Sequence, residues 1–216
     1  MRHLALFSGI TLALLAPASA VADDSAQLTI PGTITPASCG VSMTGGSEVK
    51  LDPVKLADFT QDQDLPLQEK TASLTISCEG AAAKFRLKAT DSSQSLASEV
   101  QPNHYGLGWN EQGGGTPKAN GYFKLSIDAD SMQSNRFVLK STDAGLGEAW
   151  GQAVTGNVAF DHDGEAYAFA ADGAATEPAD LSTLTVPLKI NAVLAKNPTV
   201  NDEVLLAGQA TIEILY

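Results

Sequence analysis

The sequence predicts an all-β sandwich, and three observations carry that expectation. Apolar side chains recur every second residue in five separate stretches, the spacing that gathers them on one face of a strand. No segment has the convincing apolar spacing of an amphipathic helix. Clusters of Gly, Pro, Asn and Asp separate the alternating stretches, and strands with one apolar face each must bury it against a second sheet. The chain has 216 residues, 44% of them hydrophobic and 18% charged, which suits the core of one domain and argues against disorder.

The first 22 residues are expected to stand apart from that domain. Arg2 and His3 precede Leu4-Ala5-Leu6-Phe7 and Leu12-Ala13-Leu14-Leu15-Ala16, an apolar run too short to cross a bilayer and followed by small residues. This is the pattern of a secretory signal peptide. Two A-x-A frames, Ala18-Ser19-Ala20 and Ala20-Val21-Ala22, place cleavage after residue 20 or 22. An uncleaved anchor fits less well, because Ser8, Gly9 and Thr11 interrupt the run and nothing basic follows it. Residues 23–216 would then form the exported domain, with no membrane insertion of the mature chain.

Strand expectations follow in chain order. Ala72, Leu74, Ile76 and Cys78 alternate with Ser73, Thr75, Ser77 and Glu79; Ala83, Phe85, Leu87 and Ala89 alternate with Lys84, Arg86, Lys88 and Thr90. Gly80-Ala81-Ala82 between them suits a hairpin or a sheet-to-sheet corner. The stretch from Asp91 to Gly121 holds six glycines and little alternation, and reads as a Gly-rich loop insertion or irregular hairpin. Phe123, Leu125 and Ile127 then alternate with Tyr122, Lys124, Ser126 and Asp128. A second loose segment, Asp143 to Gly156, surrounds Trp150. Leu184, Val186, Leu188, Ile190, Ala192 and Leu194 make the longest alternation, with Pro187 on its other face implying an edge or a bulge, because proline donates no ladder hydrogen bond. Last come Ala210, Ile212, Ile214 and Tyr216 inward, with Gln209, Thr211, Glu213 and Leu215 outward.

Charge and motifs bound the chemistry. A net charge of −12 argues against nucleic acid and anionic membrane surfaces, whose phosphates need a surplus of Lys and Arg. Beyond the leader only His104 and His162 remain, and no nucleophile elbow, phosphate loop or zinc-helix motif is present. The expectation is therefore no catalysis and no cofactor. Asp161-His162-Asp163-Gly164-Glu165 opens like a calcium loop, with Asp161 and Asp163 as ligands, but continues Ala166-Tyr167-Ala168-Phe169 without further oxygen donors. Asp-Gly also signals a plain turn between strands, the preferred reading here. Tyr105 and Trp109 flank the Gly-rich stretch and suit a stacking platform for sugar, although aromatic residues at a sandwich end commonly cap the core. Export gives Cys39 and Cys78 an oxidising compartment, where an even pair most simply forms one disulfide. It would close a loop of about 40 residues, for which lost chain entropy is worth roughly 4 kcal/mol.

One constellation is more specific. Leu28-Thr29-Ile30-Pro31-Gly32-Thr33-Ile34-Thr35-Pro36-Ala37-Ser38-Cys39 resembles the opening of chaperone–usher fimbrial (pilin) subunits: an alternating segment, a Gly, then a Cys. Leu74-Thr75-Ile76-Ser77-Cys78 is similar to the second half of that family's disulfide, and the strand from Gly208 to Tyr216 resembles its carboxy terminus. The mid-chain layout resembles a beta-fimbria-type branch of exported proteins of unknown function. The resemblance implies an immunoglobulin-like sandwich left incomplete for want of its last strand. The resulting groove would be filled first by a periplasmic chaperone and then, at the outer-membrane usher, by the next fimbrial subunit's donor strand. It implies Ala26, Leu28 and Ile30 as donor residues, although Leu28 to Ile34 equally suit the start of the subunit's own first strand. It implies Ala210, Ile212, Ile214 and Tyr216 as lining the groove beside the chaperone, whose basic cleft would hold the terminal carboxylate. The location implied is the periplasm in transit and then a cell-surface fimbrium serving adhesion. The alternative is a free-standing secreted carbohydrate-binding sandwich or tip adhesin, with a host glycan as partner.

Overall fold

The computed structural model describes residues 38–93, 96–112, 115–135, 137–143 and 149–216. The expected leader and the donor candidates Ala26, Leu28 and Ile30 lie outside the described residues. Among those described are thirteen strands: β1 (Ser38–Thr44), β2 (Leu65–Pro66), β3 (Lys70–Glu79), β4 (Arg86–Asp91), β5 (His104–Gly106), β6 (Trp109–Asn110), β7 (Lys118–Ala119), β8 (Gly121–Asp128), β9 (Phe137–Lys140), β10 (Asn157–Ala159), β11 (Ala166–Ala170), β12 (Thr183–Leu194) and β13 (Ala210–Leu215). Helix among the described residues is limited to two single 3-10 turns, Leu56–Asp58 and Ala129–Ser131.

The longest alternation becomes the organising strand. In β12 Leu184, Val186, Leu188, Ile190, Ala192 and Leu194 are all buried while the residues between them are exposed or half-buried. β12 pairs antiparallel with β3 on one side and β8 on the other, in the order β1-β3-β12-β8-β10. Pro187 sits opposite Ser73 of β3, but pairing with β8 begins only at Leu188. At the proline the strand is therefore locally an edge, although β12 as a whole is central. β2 extends the β3 side of β12, and β5 extends the β10 side of β8.

The second sheet runs β13-β4-β11-β9, again antiparallel, and packs over the first. Leu87 and Ala89 of β4 and Tyr167 and Phe169 of β11 join Leu74, Ile76, Ile127, Val186 and Leu188 in one buried core. This is an all-β sandwich, as the alternation predicts. All its strands belong to one compact unit, Pro36–Tyr216. Cys39 and Cys78 are bonded and face one another in the β1–β3 register. Gly80-Ala81-Ala82 proves to be a sheet-to-sheet corner, with Gly80 at φ 85°. The Asp161–Glu165 turn is also a corner and not a hairpin, since β10 lies in the first sheet and β11 in the second.

The β11 strand breaks the alternation rule. All five of its residues are buried, because Ala168 and Ala170 face a second small cluster with Leu139 and Ala153, flanked by Trp150. The segment carrying Trp150 lies along β9, exchanging two backbone hydrogen bonds between Val138 and Val154 at 2.8 and 2.9 Å. That segment covers the β9 edge of the second sheet.

The described residues of the 91–121 stretch include three short strands. β5 pairs with β8, and β6 with β7 forms a small ribbon. The Asp91 carboxylate accepts hydrogen bonds from the Ser93 N–H at 2.7 Å and the Gly106 N–H at 3.0 Å, fastening both ends of the intervening turn. A Cβ on Gly106 would fall 2.0 Å from the Ser93 carbonyl oxygen, so that approach requires glycine. Strands of two or three residues leave no alternation to read, which is why the sequence suggests loop.

β5 also buries an ionisable ring. His104, 4% exposed, stacks on Tyr122 at 3.9 Å, and its Nδ1 lies 3.1 Å from the Glu99 carbonyl oxygen. Tyr122, expected on the polar face of its strand, is buried under this stack. Burial holds the His104 pKa below the ordinary histidine value, and Lys124 and His162 act in the same direction against the weaker pull of Glu99. An unfolded chain then binds the proton more readily than the folded one. Stability should be complete above the unfolded value of about 6.5 and fall as pH drops through it toward the folded pKa. Urea unfolding between pH 7.5 and 5 should reveal this slope, and His104→Gln should flatten it; an equal slope in both proteins would assign it elsewhere.

Candidate functional site: an apolar groove between two strand edges

The two sheets are not closed alike on their two sides. Opposite the covered β9 edge, β1 ends the first sheet and β13 ends the second among the described residues. Beside these rims opens a cavity of about 1800 Å³, whose wall also includes the flanking segments 47–54 and 194–200. That exceeds the roughly 300–1,000 Å³ typical of small-molecule clefts and suits a length of chain. Its floor is core: Leu125 of β8 and Leu188 and Ile190 of β12 line it, beside Ala72 and Phe123. Met43 of β1 forms one rim and Ala210 and Ile212 of β13 the other.

The backbone of β13 is turned the same way. Gln209 accepts a hydrogen bond from the Ser92 N–H, so Gln209 and Ser92 face each other as a bonded pair. Bonded and non-bonded positions alternate along an antiparallel ladder. In the β13–β4 register, Thr211, Glu213 and Leu215 therefore point their backbone groups at β4, while those of Ala210, Ile212 and Ile214 point away from it. Ala210, Ile212 and Ile214 also pack their side chains against the core, and Thr211 and Glu213 are exposed. One set of residues thus offers both apolar side chains and edge hydrogen-bonding groups.

Exposed apolar surface is concentrated here. Of the eight large hydrophobic side chains that are exposed among the described residues, five line this groove: Leu56, Trp109, Val200, Leu205 and Leu206. Such clustering marks an interaction surface, whereas scattered single residues would mean nothing. The wall carrying Val200 is fixed by the β6–β7 ribbon. Gln112 of its turn accepts the Asn201 and Asp202 N–H groups at 2.8 Å each and donates to the Glu203 carbonyl at 3.0 Å.

Tyr216 does something other than line the groove. Its hydroxyl donates to the Cys39 carbonyl at 2.7 Å and accepts the Cys39 N–H, so the ring bridges from the end of β13 to β1 beside the disulfide. The Arg86 guanidinium donates to the Tyr216 main-chain oxygen at 3.3 Å. Ile214 packs into the core without reaching the groove surface. Ala210 and Ile212 line the cavity, Ile214 packs against the core and Tyr216 bridges to β1.

The remaining candidates separate. Tyr105 is fully buried, stacked on Phe123 at 5.0 Å, and its hydroxyl donates to the Phe160 carbonyl at 2.7 Å. Burial pushes its phenol far above the ordinary tyrosine range. It presents no ring face to solvent, so the expected two-ring sugar platform reduces to Trp109, which is 43% exposed at the groove. The Asp161 carboxylate is held by the Lys140 ammonium at 2.7 Å, a cation already in place where calcium was considered. Among the described residues no three His, Cys, Asp or Glu side chains gather as a metal site.

Sequence reasoning identified β13 but missed the floor and the opposite rim. Leu188 and Ile190 sit in the middle of the clearest alternation, yet nothing in that pattern tells a fully covered strand from one beneath an opening. Compared with known proteins, the chain matches no family model and no curated sequence.

Proposed function

We propose that this chain is a fimbrial or fimbria-like structural subunit, exported and assembled by strand complementation. The observation that carries the reading is the groove between β1 and β13, where core residues line an opening flanked by two sheet edges. A strand laid there would gain backbone hydrogen bonds from Ala210, Ile212 and Ile214 and seat alternate apolar side chains on the floor. Similarity of the Cys39 and Cys78 segments to pilin subunits supports the same reading, as does a disulfide suited to an oxidising, exported compartment. The partners are a periplasmic chaperone, an outer-membrane usher and neighbouring subunits, and the role is structural, in adhesion, without catalysis.

The test is completion of the sandwich. Purified without a partner, the mature chain should self-associate or melt at low temperature. Addition of an extended peptide with alternating apolar residues should yield a monodisperse species with a raised Tm. A stable monomer whose melting ignores such peptides would overturn the proposal and favour a free-standing binding module, for which glycan binding lost on Trp109→Ala is the matching result.

A further inference from the structure

We infer that Tyr216 is the end stop of the groove, the residue that fixes how far an incoming strand can pair along β1. The inference rests on the strand-acceptor reading above and adds the register of the partner strand to it.

β1 turns the backbone groups of alternate residues away from β3. Cys78 donates its N–H to the Ser182 carbonyl at 2.7 Å, away from β1 and on the β12 side. Its partner in the β1–β3 register, Cys39, is thus at a non-bonded position of that ladder, and its own N–H and C=O point to the open edge. Val41 and Met43, two and four residues on, have the same orientation by the alternation of the ladder. Along this rim Cys39, Val41 and Met43 are the residues with which a new strand would pair.

At Cys39 both groups are already taken. The single Tyr216 hydroxyl accepts the N–H and donates to the C=O, doing for that residue what a neighbouring strand would do. The ring reaches Cys39 from the end of β13, and its hydroxyl is the atom that occupies the two backbone groups. Pairing on β1 accordingly begins at Val41 and extends toward Met43, and the disulfide end stays closed. On β13 the matching outward groups are those of Ile214, Ile212 and Ala210. A strand that slips by one residue would turn its apolar face to water, and one that slips by two toward the disulfide would meet Tyr216. The phenol thereby selects one register among those that hydrophobic matching alone permits.

Amide hydrogen exchange on the full mature chain, with a synthetic peptide of residues 24–35 of this chain as the probe strand, tests the stop. In the wild-type protein the Cys39 amide should be protected equally with and without peptide, while the Val41 and Met43 amides slow by roughly tenfold or more when it binds. In Tyr216→Phe, which keeps the ring and removes the hydroxyl, the Cys39 amide should exchange freely alone and become protected with peptide. Gain of protection at Cys39 in the wild type would mean that the strand displaces Tyr216, and overturns the stop without recourse to the variant. Protection that ends at Val41 in Tyr216→Phe as well would overturn it too, by placing the limit elsewhere. Both results leave strand binding itself intact. Peptide that protects none of the β1 and β13 amides in either protein would instead remove the acceptor reading, and this inference with it.

Discussion

Replacing Cys39 and Cys78 together by Ala should lower the unfolding free energy by about 4 kcal/mol, the largest single effect expected on stability. The two cysteines are separated by 39 residues, and opening that loop restores its full freedom to the denatured chain. For a domain of this size the loss corresponds to a fall in Tm of roughly 10 °C. Few compensating contacts are available. Among the described residues β1 pairs with β3 alone, and the Tyr216 hydroxyl anchors to the backbone of Cys39 itself. Urea titration of wild type and double variant, each followed by fluorescence and circular dichroism, measures the difference. A loss below about 1 kcal/mol would show that β1 and β3 stay associated in the denatured ensemble without the bond.

The second large effect concerns binding. Ile212→Asp should weaken association with an extended apolar peptide by about a hundredfold or more, because a bound strand would strip water from the introduced carboxylate and lose an apolar contact. In the free protein the same carboxylate sits on a half-buried rim and keeps much of its hydration, so the fold should survive. Thr211→Asp is the control. Thr211 is on the exposed face of the same strand, so this variant adds the same charge next door and should bind as wild type. Isothermal titration of the three proteins separates the outcomes: equal binding by Ile212→Asp would show that the strand does not seat on β13.

What the sequence made legible follows from how local each signal is. β12 and the end of β3 were readable residue by residue, since each has one buried face and one open face. β11 was not, because a chain segment folded over its outer face buried the alanines that should have been polar. The bonding of Cys39 to Cys78 needed only their even number and an oxidising compartment, whereas the sheet order depends on pairings between distant segments that no local pattern encodes. Tyr216 shares the parity of Ala210 and Ile212, but the turn of its ring toward Cys39 depends on where β1 lies, and that is a tertiary fact. Tyr105 was misplaced for a related reason. An aromatic residue beside glycines looks exposed until the glycines prove to be points of close packing.

The pairing scheme also orders events in time. β1 and β3 lie within the first 79 residues and can be cross-linked as soon as Cys78 emerges. β3 must still wait for β12, and β4 has no sheet neighbour until β11 and β13 arrive. A chain delivered from its amino end therefore holds the apolar faces of β3 and β4 uncovered through most of its appearance. Pairings between remote segments close late, and surface left open in the interval invites aggregation. The half-made chain, with those faces uncovered, is the species most open to aggregation.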